Sequence, residues 1–321
     1  MEPGSSQTEA VESGKTARKQ RSDSERGQAL RIKDIRCVLI VGAGTMGRQI
    51  SLQCATHGYN VTLYDIAPEA LKAASGQLKE YADHLVAWGR LSQQEADAAL
   101  TRITTTNNAK QAASRADLLS ESVPEDPELK GKVFAQFNKL CPSHTIFTTN
   151  TSELIPSLFA EKTGRPDKFA ALHFHQRVWE ANVADIMPHP GTSQATMELL
   201  RTFAESIGQI PIVLKKEHPA YVFNYMLNAL TGAALDLAVD NVASVEDIDR
   251  AWTGVMKTMV GPFGILDFVG LDLALQIWDM FAKLSGDPQI QARADFLKRY
   301  VDKGWLGVKS GRGFYTYTKP T

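Results

Sequence analysis

The sequence predicts an α/β fold: a doubly wound Rossmann-type sheet followed by an all-α C-terminal domain. Three observations carry this. Short apolar runs alternate with amphipathic, helix-like segments up to about residue 214. A glycine-rich turn, Gly42-Ala43-Gly44-Thr45-Met46-Gly47, directly succeeds the apolar run Cys37-Val38-Leu39-Ile40-Val41. Beyond residue 215 strand-like patterning stops.

Residues 1–34 are rich in Ser, Gln, Glu, Arg and Lys, a composition that predicts a disordered extension. The stretch has no apolar segment of the kind a secretory signal needs. Its acids Glu2, Glu9, Glu12, Asp23 and Glu25 argue against a mitochondrial transit peptide, so a cytoplasmic location is expected. The next domain, 35–214, offers strands at 36–41, 60–65, 102–106, 117–121, 144–149, 168–173, 182–187 and 209–214. Helices are expected at 45–57, 68–88, 127–140, 153–161 and 193–207. The polar, Ala-rich stretch 68–100 carries Leu71, Leu78, Tyr81, Leu85 and Trp88 near helical spacing and reads as a helical hairpin. In the last domain, 215–321, residues 219–239 form one long apolar helix, interrupted by Asn224, Asn228, Asp236 and Asp240. That makes it a helix buried all round, in a bundle core or a dimer interface, rather than a membrane span. Helices at 245–258, 271–284 and 288–302 complete the domain.

The glycine turn sits in the context its chemistry requires: strand, turn, helix, then a second strand ending in Asp65. Gly42 permits the tight turn, Gly44 lets backbone approach a pyrophosphate, and Gly47 lets the helix pack against the strand. Thr45 and Met46 open the helix, whose N-terminus supplies N–H groups and partial positive charge for phosphates. Asp65 is placed to accept hydrogen bonds from a ribose 2′-hydroxyl and to repel a 2′-phosphate, so NAD is expected over NADP; an ordinary packing turn is the plain alternative for the glycines.

Composition narrows the partners. Over 321 residues the formal net charge is −1, which gives no global attraction to nucleic acid or to membrane surfaces. Cys37, Cys54 and Cys141 are widely spaced, show no metal-ligand spacing and fit a reducing compartment.

Hydride loss from a carbon bearing a hydroxyl needs a base, and His is suited to the task near neutral pH. Of the seven histidines, His173 closes the apolar run Phe169-Ala170-Ala171-Leu172, at the C-terminal end of a strand, where ligands of such sheets bind. A hydrogen-bonded structural histidine fits the same position. Thr148-Thr149-Asn150-Thr151-Ser152 ends another strand; its hydroxyls either cap the next segment or meet cofactor or substrate. Asn224, within the apolar helix, needs an amide partner, either a neighbouring helix or a substrate carbonyl.

The order of these motifs resembles the L-3-hydroxyacyl-CoA dehydrogenase family. The chain has Gly-x-Gly-x-x-Gly, then Asn150-Thr151-Ser152, His173-Phe174, a later acid, Pro219 with Asn224, and Gly261-Pro262-Phe263 with Asp267. It ends Gly307-Val308-Lys309-Ser310-Gly311-Arg312-Gly313-Phe314-Tyr315. The likeness runs from about residue 36 to 317. It implies NAD-dependent, reversible oxidation of a 3-hydroxyacyl-CoA, with 3-hydroxybutyryl-CoA as the expected short-chain substrate, in fatty acid metabolism. It also implies a homodimer through the C-terminal substrate and dimerisation domain. By the same resemblance His173 is the base, Ser152 bonds the substrate oxygen, and Asn224 polarises the reacting acyl group. Glu125, Lys130 and Lys309 lie on the cofactor side; for the two lysines, solvated surface charge is the plain alternative.

Two departures from the family pattern bear on substrate. The acid twelve residues after the histidine, usually Glu, is Asp185. The common His-Phe-Phe-Asn-Pro is His173-Phe174-His175-Gln176-Arg177, then Val178-Trp179. Gln176 then replaces an amide contact to the nicotinamide. Arg177 is either a surface charge or a binder of an anionic group. Val123-Pro124-Glu125-Asp126 and Met187-Pro188-His189-Pro190 are similar instead to relatives that oxidise non-CoA 3-hydroxy acids such as gulonate or carnitine. A third reading, of another class, is an NAD-binding structural or sensor protein with little turnover.

Overall fold

The computed structural model describes residues 30–317. Residues 1–29 of the expected extension lie outside them. Residues 30–34 do not behave as disordered chain: Ile32–Asp34 is a 3-10 turn, and Leu30 and Ile32 pack on the apolar core of the sheet. Apolar side chains at those positions override the polar composition around them.

The chain divides into two compact units. The first comprises the residues up to Asn150 with Phe159–Ile186 and Gly191–Pro211. The second comprises Thr151–Leu158, Met187–Pro190 and the residues from Ile212 onward.

The first unit is built on a sheet whose strands are β1 (Cys37–Val41), β2 (Asn60–Tyr64), β3 (Ile103–Thr106), β4 (Leu118–Glu121), β5 (Ile146–Thr149), β6 (Phe169–Phe174), β7 (Val183–Met187) and β8 (Ile210–Val213). Their order is 3-2-1-4-5-6-7-8. All five pairings from β3 through β6 are parallel. Strand order reverses between β1 and β4, the switch point where open α/β sheets bind ligands. Val41 lies opposite Tyr64 and Glu121, Glu121 opposite Thr149, and Thr149 opposite Ala171. β1, β2, β4 and β5 therefore end in one row, β6 runs on from Ala171 to Phe174, and the loops that leave them emerge along a single sheet edge.

Helices α1 (Thr45–Thr56), α2 (Pro68–Ala87), α3 (Gln93–Thr101), α4 (Ala109–Ala113), α5 (Pro127–Leu140) and α6 (Gln194–Ser206) join the strands. α2 and α3 form the expected hairpin. Pro68 opens α2, and Ser92 with Glu95 makes a reciprocal capping box on α3. The short α4, capped by Asn108, has too few residues to show a helical period. The helix expected at 153–161 is replaced by two 3-10 turns, Pro156–Leu158 and Ala160–Thr163. Pro156 has no N–H to give, and the Ser157 N–H and hydroxyl are taken by the Glu217 carboxylate at 2.6 and 2.5 Å.

The second unit is helical: α7 (Phe223–Val239), α8 (Val245–Met256), α9 (Pro262–Val269), α10 (Leu271–Ser285) and α11 (Pro288–Val301), around Leu235, Ile248, Phe263, Leu266, Trp278 and Leu297. The apolar composition of α9 hides its period. α7 starts at Phe223 rather than at 219, because Ala220 and Tyr221 adopt left-handed backbone (φ 62° and 55°). The buried Tyr221 hydroxyl donates to the Thr151 carbonyl at 2.7 Å and holds this turn. Nor is α7 buried all round: Phe223 is 49% exposed, Tyr225 55% and Met226 58%. Among the described residues no helix is long and apolar enough to cross a membrane.

The glycine-rich ending is anchored by two acids. Asp267 accepts from the Phe314 and Tyr315 N–H groups and the Tyr317 hydroxyl, each at 2.9 Å. Asp249 accepts from the Phe263 and Gly264 N–H groups and the Tyr315 hydroxyl at 2.8–3.0 Å. Asp267→Ala removes three hydrogen bonds to a buried carboxylate and is expected to destabilise the protein by roughly 1–3 kcal/mol. Urea denaturation checks this; a midpoint equal to wild type would refute the anchoring role.

Candidate active site

The cofactor end of the first unit rests on three glycines with three different surroundings. Gly42 has φ 110°, and a Cβ there would stand 2.5 Å from the Ser122 carbonyl oxygen. A Cβ on Gly47 would stand 1.9 Å from the Gly42 carbonyl oxygen. Both are closed to side chains by protein backbone. Around Gly44 a Cβ would meet no protein atom within 4 Å, so there the glycine leaves room rather than filling it. Gly44 is also the N-cap of α1 and, with no side chain to cap the helix, leaves the Thr45-Met46-Gly47 turn to meet an anion through backbone N–H groups. Asp65, just past β2, accepts from the Ala43 N–H at 2.8 Å and the Ala67 N–H at 2.9 Å. It therefore holds the glycine loop in shape as well as presenting a carboxylate. An open cradle, an uncapped helix start and an acid on the neighbouring strand suit the pyrophosphate and ribose of NAD.

His173, at the C-terminal end of β6, and Asp185, on the adjacent β7, meet within the first unit. His173 Nδ1 lies 3.2 Å from Asp185 Oδ2, with His173 3% and Asp185 1% exposed. An ionised carboxylate only accepts, so the Nδ1–H donates and the basic lone pair resides on Nε2. The shorter acid thus still reaches its histidine. Burial, the largest influence, pushes the His173 imidazole below its ordinary value of 6.5, and neighbouring His175 pushes the same way; Asp185 opposes both. On Asp185 burial pushes upward, but the hydrogen bonds from His173 and His175 outweigh it and hold the carboxyl below its usual range. The Asn150 side-chain oxygen accepts the Phe174 N–H at 2.8 Å and pins the strand end beside His173. His173, His175 and Asp185 stand close enough together to surround an ion, and Asp185 Oδ2 already accepts from both imidazoles.

Lys130 is not a solvated charge. It is 1% exposed, and its Nζ lies 2.8 Å from Glu121 Oε1, 3.2 Å from the Val123 carbonyl and 3.2 Å from Glu125. Glu121, fully buried at the end of β4, also accepts from the Thr149 hydroxyl at 2.6 Å and the Val123 N–H at 2.7 Å. Burial pushes the Glu121 carboxyl upward while Lys130 and the other donors pull it back. This cluster fixes the loop that carries Glu125. Glu121 is absent from the candidates that the sequence offers, although an acid closing an apolar strand is its signal.

The remaining candidates divide between the two units. Thr148 and Thr149 spend their hydroxyls on β4, through Leu119 and Glu121. Ser152, exposed, and Asn224, half-buried on the first turn of α7, belong to the second unit. So does Lys309, whose Nζ lies 2.5 and 2.6 Å from the two Asp272 carboxylate oxygens. Gln176 is exposed, and Arg177, 65% exposed, pairs with Glu180 at 3.3 Å. Trp179 packs against Tyr81 of α2 with ring centroids 5.2 Å apart, which makes it a packing residue of the first unit.

The chain belongs to the 3-hydroxyacyl-CoA dehydrogenase family. The family's NAD binding domain matches residues 37–218, and its C-terminal domain matches residues 221–317. A probable 3-hydroxybutyryl-CoA dehydrogenase of Bacillus subtilis is 31% identical over 288 residues, covering 90% of this chain and 99% of that protein. Among solved structures, a diketoreductase described as acting on dicarbonyl compounds superposes with a TM-score of 0.83 at 39% identity, covering 88% of this chain and 99% of that one. The (S)-3-hydroxybutyryl-CoA dehydrogenase of Ralstonia eutropha superposes with a TM-score of 0.79 at 29% identity, covering 89% and 100%.

The two loop glycines separate binding from folding. Gly44→Ala is expected to change stability by less than about 1 kcal/mol while weakening NAD at least tenfold in a fluorescence titration. Gly47→Ala is expected to lower the melting temperature as well, because its Cβ collides with backbone. Unchanged NAD affinity in Gly44→Ala would refute the cradle.

Proposed function

We propose that this member of the 3-hydroxyacyl-CoA dehydrogenase family oxidises a short-chain L-3-hydroxyacyl-CoA, such as 3-hydroxybutyryl-CoA, to the 3-oxoacyl-CoA, reversibly and within fatty acid metabolism. The observation that carries this is the buried His173–Asp185 pair at 3.2 Å, on the sheet edge that also bears the glycine loop. NAD, when bound, would supply the acceptor for the hydride leaving C3. The hydroxyl proton passes to His173 Nε2, and the imidazolium that forms is held by the Asp185 carboxylate. Ser152 is assigned to the reacting oxygen and Asn224 to the thioester carbonyl, both by likeness to the family. Glu125, Lys130, Gln176 and Lys309 are assigned to the cofactor side on the same ground. For Lys309 the partner seen is Asp272, and for Lys130 it is Glu121.

The closure of the shorter acid onto His173 supports turnover over a sensor without it. The curated relatives' names support a CoA substrate over gulonate or carnitine. We also propose a homodimer: Phe223, Tyr225 and Met226 give α7 an exposed apolar face. Three free thiols, Cys37, Cys54 and Cys141, support a cytoplasmic location.

The direct test is a panel read by NADH formation or loss: 3-hydroxybutyryl-CoA, longer 3-hydroxyacyl-CoAs, gulonate, carnitine and a free diketone. Turnover confined to the free compounds would overturn the CoA reading. His173→Ala is expected to lower kcat by at least a thousandfold with NAD affinity within threefold of wild type. Oxidation needs neutral His173, and burial lowers its pKa, so the acid limb of kcat/KM for oxidation is expected below the ordinary value of 6.5. A limb at or above 6.5 would contradict the assignment. Tyr225→Asp with Met226→Asp is expected to halve the particle mass in sedimentation velocity; a monomeric wild type would refute the dimer.

A further inference from the structure

We propose that His175 is a positioning residue: it clamps the Asp185 carboxylate for His173 and competes with His173 for that one negative charge. The inference rests on the proposed role of His173 as the base.

Residues two apart along an extended chain lie on the same face of the sheet, so the His-x-His spacing at the end of β6 puts both imidazoles on one face, where both reach Asp185 of β7. There they meet one acceptor. Asp185 Oδ2 lies 3.2 Å from His173 Nδ1 and 3.1 Å from His175 Nε2. The rings pack edge to face with centroids 4.8 Å apart. Asp185 is 1% exposed, and its other oxygen, Oδ1, is buried with no hydrogen-bond partner among the described residues. Both donors therefore act on the same oxygen, and no second anchor holds the carboxylate through Oδ1. A carboxylate gripped only by His173 would be free to rotate about its last bond; the His175 N–H fixes it. His175 stands where the family's common motif has Phe, and it accompanies the shorter acid.

The shared carboxylate also couples the two rings. Asp185 supplies one negative charge. His173 must become a cation when it takes the substrate proton, so a second cation on His175 at the same oxygen opposes it. The other charged groups acting on His173 are Asp185 itself, on β7, and Glu125, in the loop after β4; both favour its cation, whereas His175 disfavours it.

His175→Gln keeps an N–H donor but cannot become a cation; His175→Phe loses both. In both variants the His173 imidazole should titrate at higher pH than in wild type, by about half a unit or more, in NMR of histidine-labelled protein. This readout needs no turnover. With 3-hydroxybutyryl-CoA, the acid limb of oxidation should shift upward in both variants. Loss of the clamp should lower kcat at least tenfold in His175→Phe, while His175→Gln stays within about threefold and KM for NAD is unchanged in both. A purely structural histidine would not move the His173 titration in a folded variant. An unshifted His173 in His175→Gln overturns the proposal, whether or not His175→Phe folds. If wild type fails to oxidise the substrate, the functional reading falls, and the NMR shift still decides the coupling.

Discussion

The parallel register of β1 with β2 and β4 is the constraint on which the first unit depends. Because Val41 lies opposite Tyr64 and Glu121, the glycine loop, Asp65 and the Glu121–Val123 turn emerge side by side. The chain then continues the row through β5 and β6 to Asn150 and His173. A slip of one residue would turn every side chain to the other face. It would also separate Ala43 from Asp65, whose hydrogen bond ties loop to strand. Parallel strands buried on both faces leave few places for polar groups, so chemistry collects where the strands stop.

That concentration forces the protein to bury charge, and it does so in the same way more than once. Glu121, Asp185 and Asp267 are each 1% exposed or less, and each is met by two or more donors. Removing Lys130 from the buried Glu121 would leave a charge unpaired and cost about 3–5 kcal/mol, whereas Asp267 is held by neutral N–H and O–H donors. Glu121 with Lys130 fastens β4 to α5, and Asp267 fastens the tail to α9. Asp185 differs in having an oxygen left over, and it is the only one of the three that faces a proposed proton acceptor. Lower local satisfaction coincides with the proposed chemistry, as expected where function competes with stability.

How much of this was legible in the sequence depended on whether the information is local. The glycine turn, the eight strands and the acid after β2 are written in short-range pattern, and the structure places them at nearly the expected residues. The His173–Asp185 pairing was legible only through family resemblance, because no local period links residues twelve apart on neighbouring strands. Sequence pattern failed where tertiary contacts decide. Pro156 and the Glu217 carboxylate stop a helix at 153–161 that composition favoured. Two left-handed residues delay α7, and Lys130, a surface charge by residue type, is buried by a partner nine residues earlier. Gly261-Pro262-Phe263 and the Gly307–Tyr315 ending, which helped identify the family, prove to be joined through Asp249 and Asp267. Their pattern records how the second unit closes on its own tail, and it says nothing direct about substrate.

The length of Asp185 illustrates how a departure from a motif is to be weighed. Removing one methylene from an acid withdraws its carboxylate by more than an ångström, a displacement large enough to cost on the order of a hundredfold in rate. Taken alone, the substitution argues for impaired chemistry. The neighbouring change from Phe to His175 alters that judgement, because a second imidazole at 3.1 Å aims the shorter carboxylate toward His173. Each departure taken singly weakens the resemblance; together they form one hydrogen-bonded unit. The distance that matters is the one between His173 and the oxygen it donates to, and at 3.2 Å it is closed.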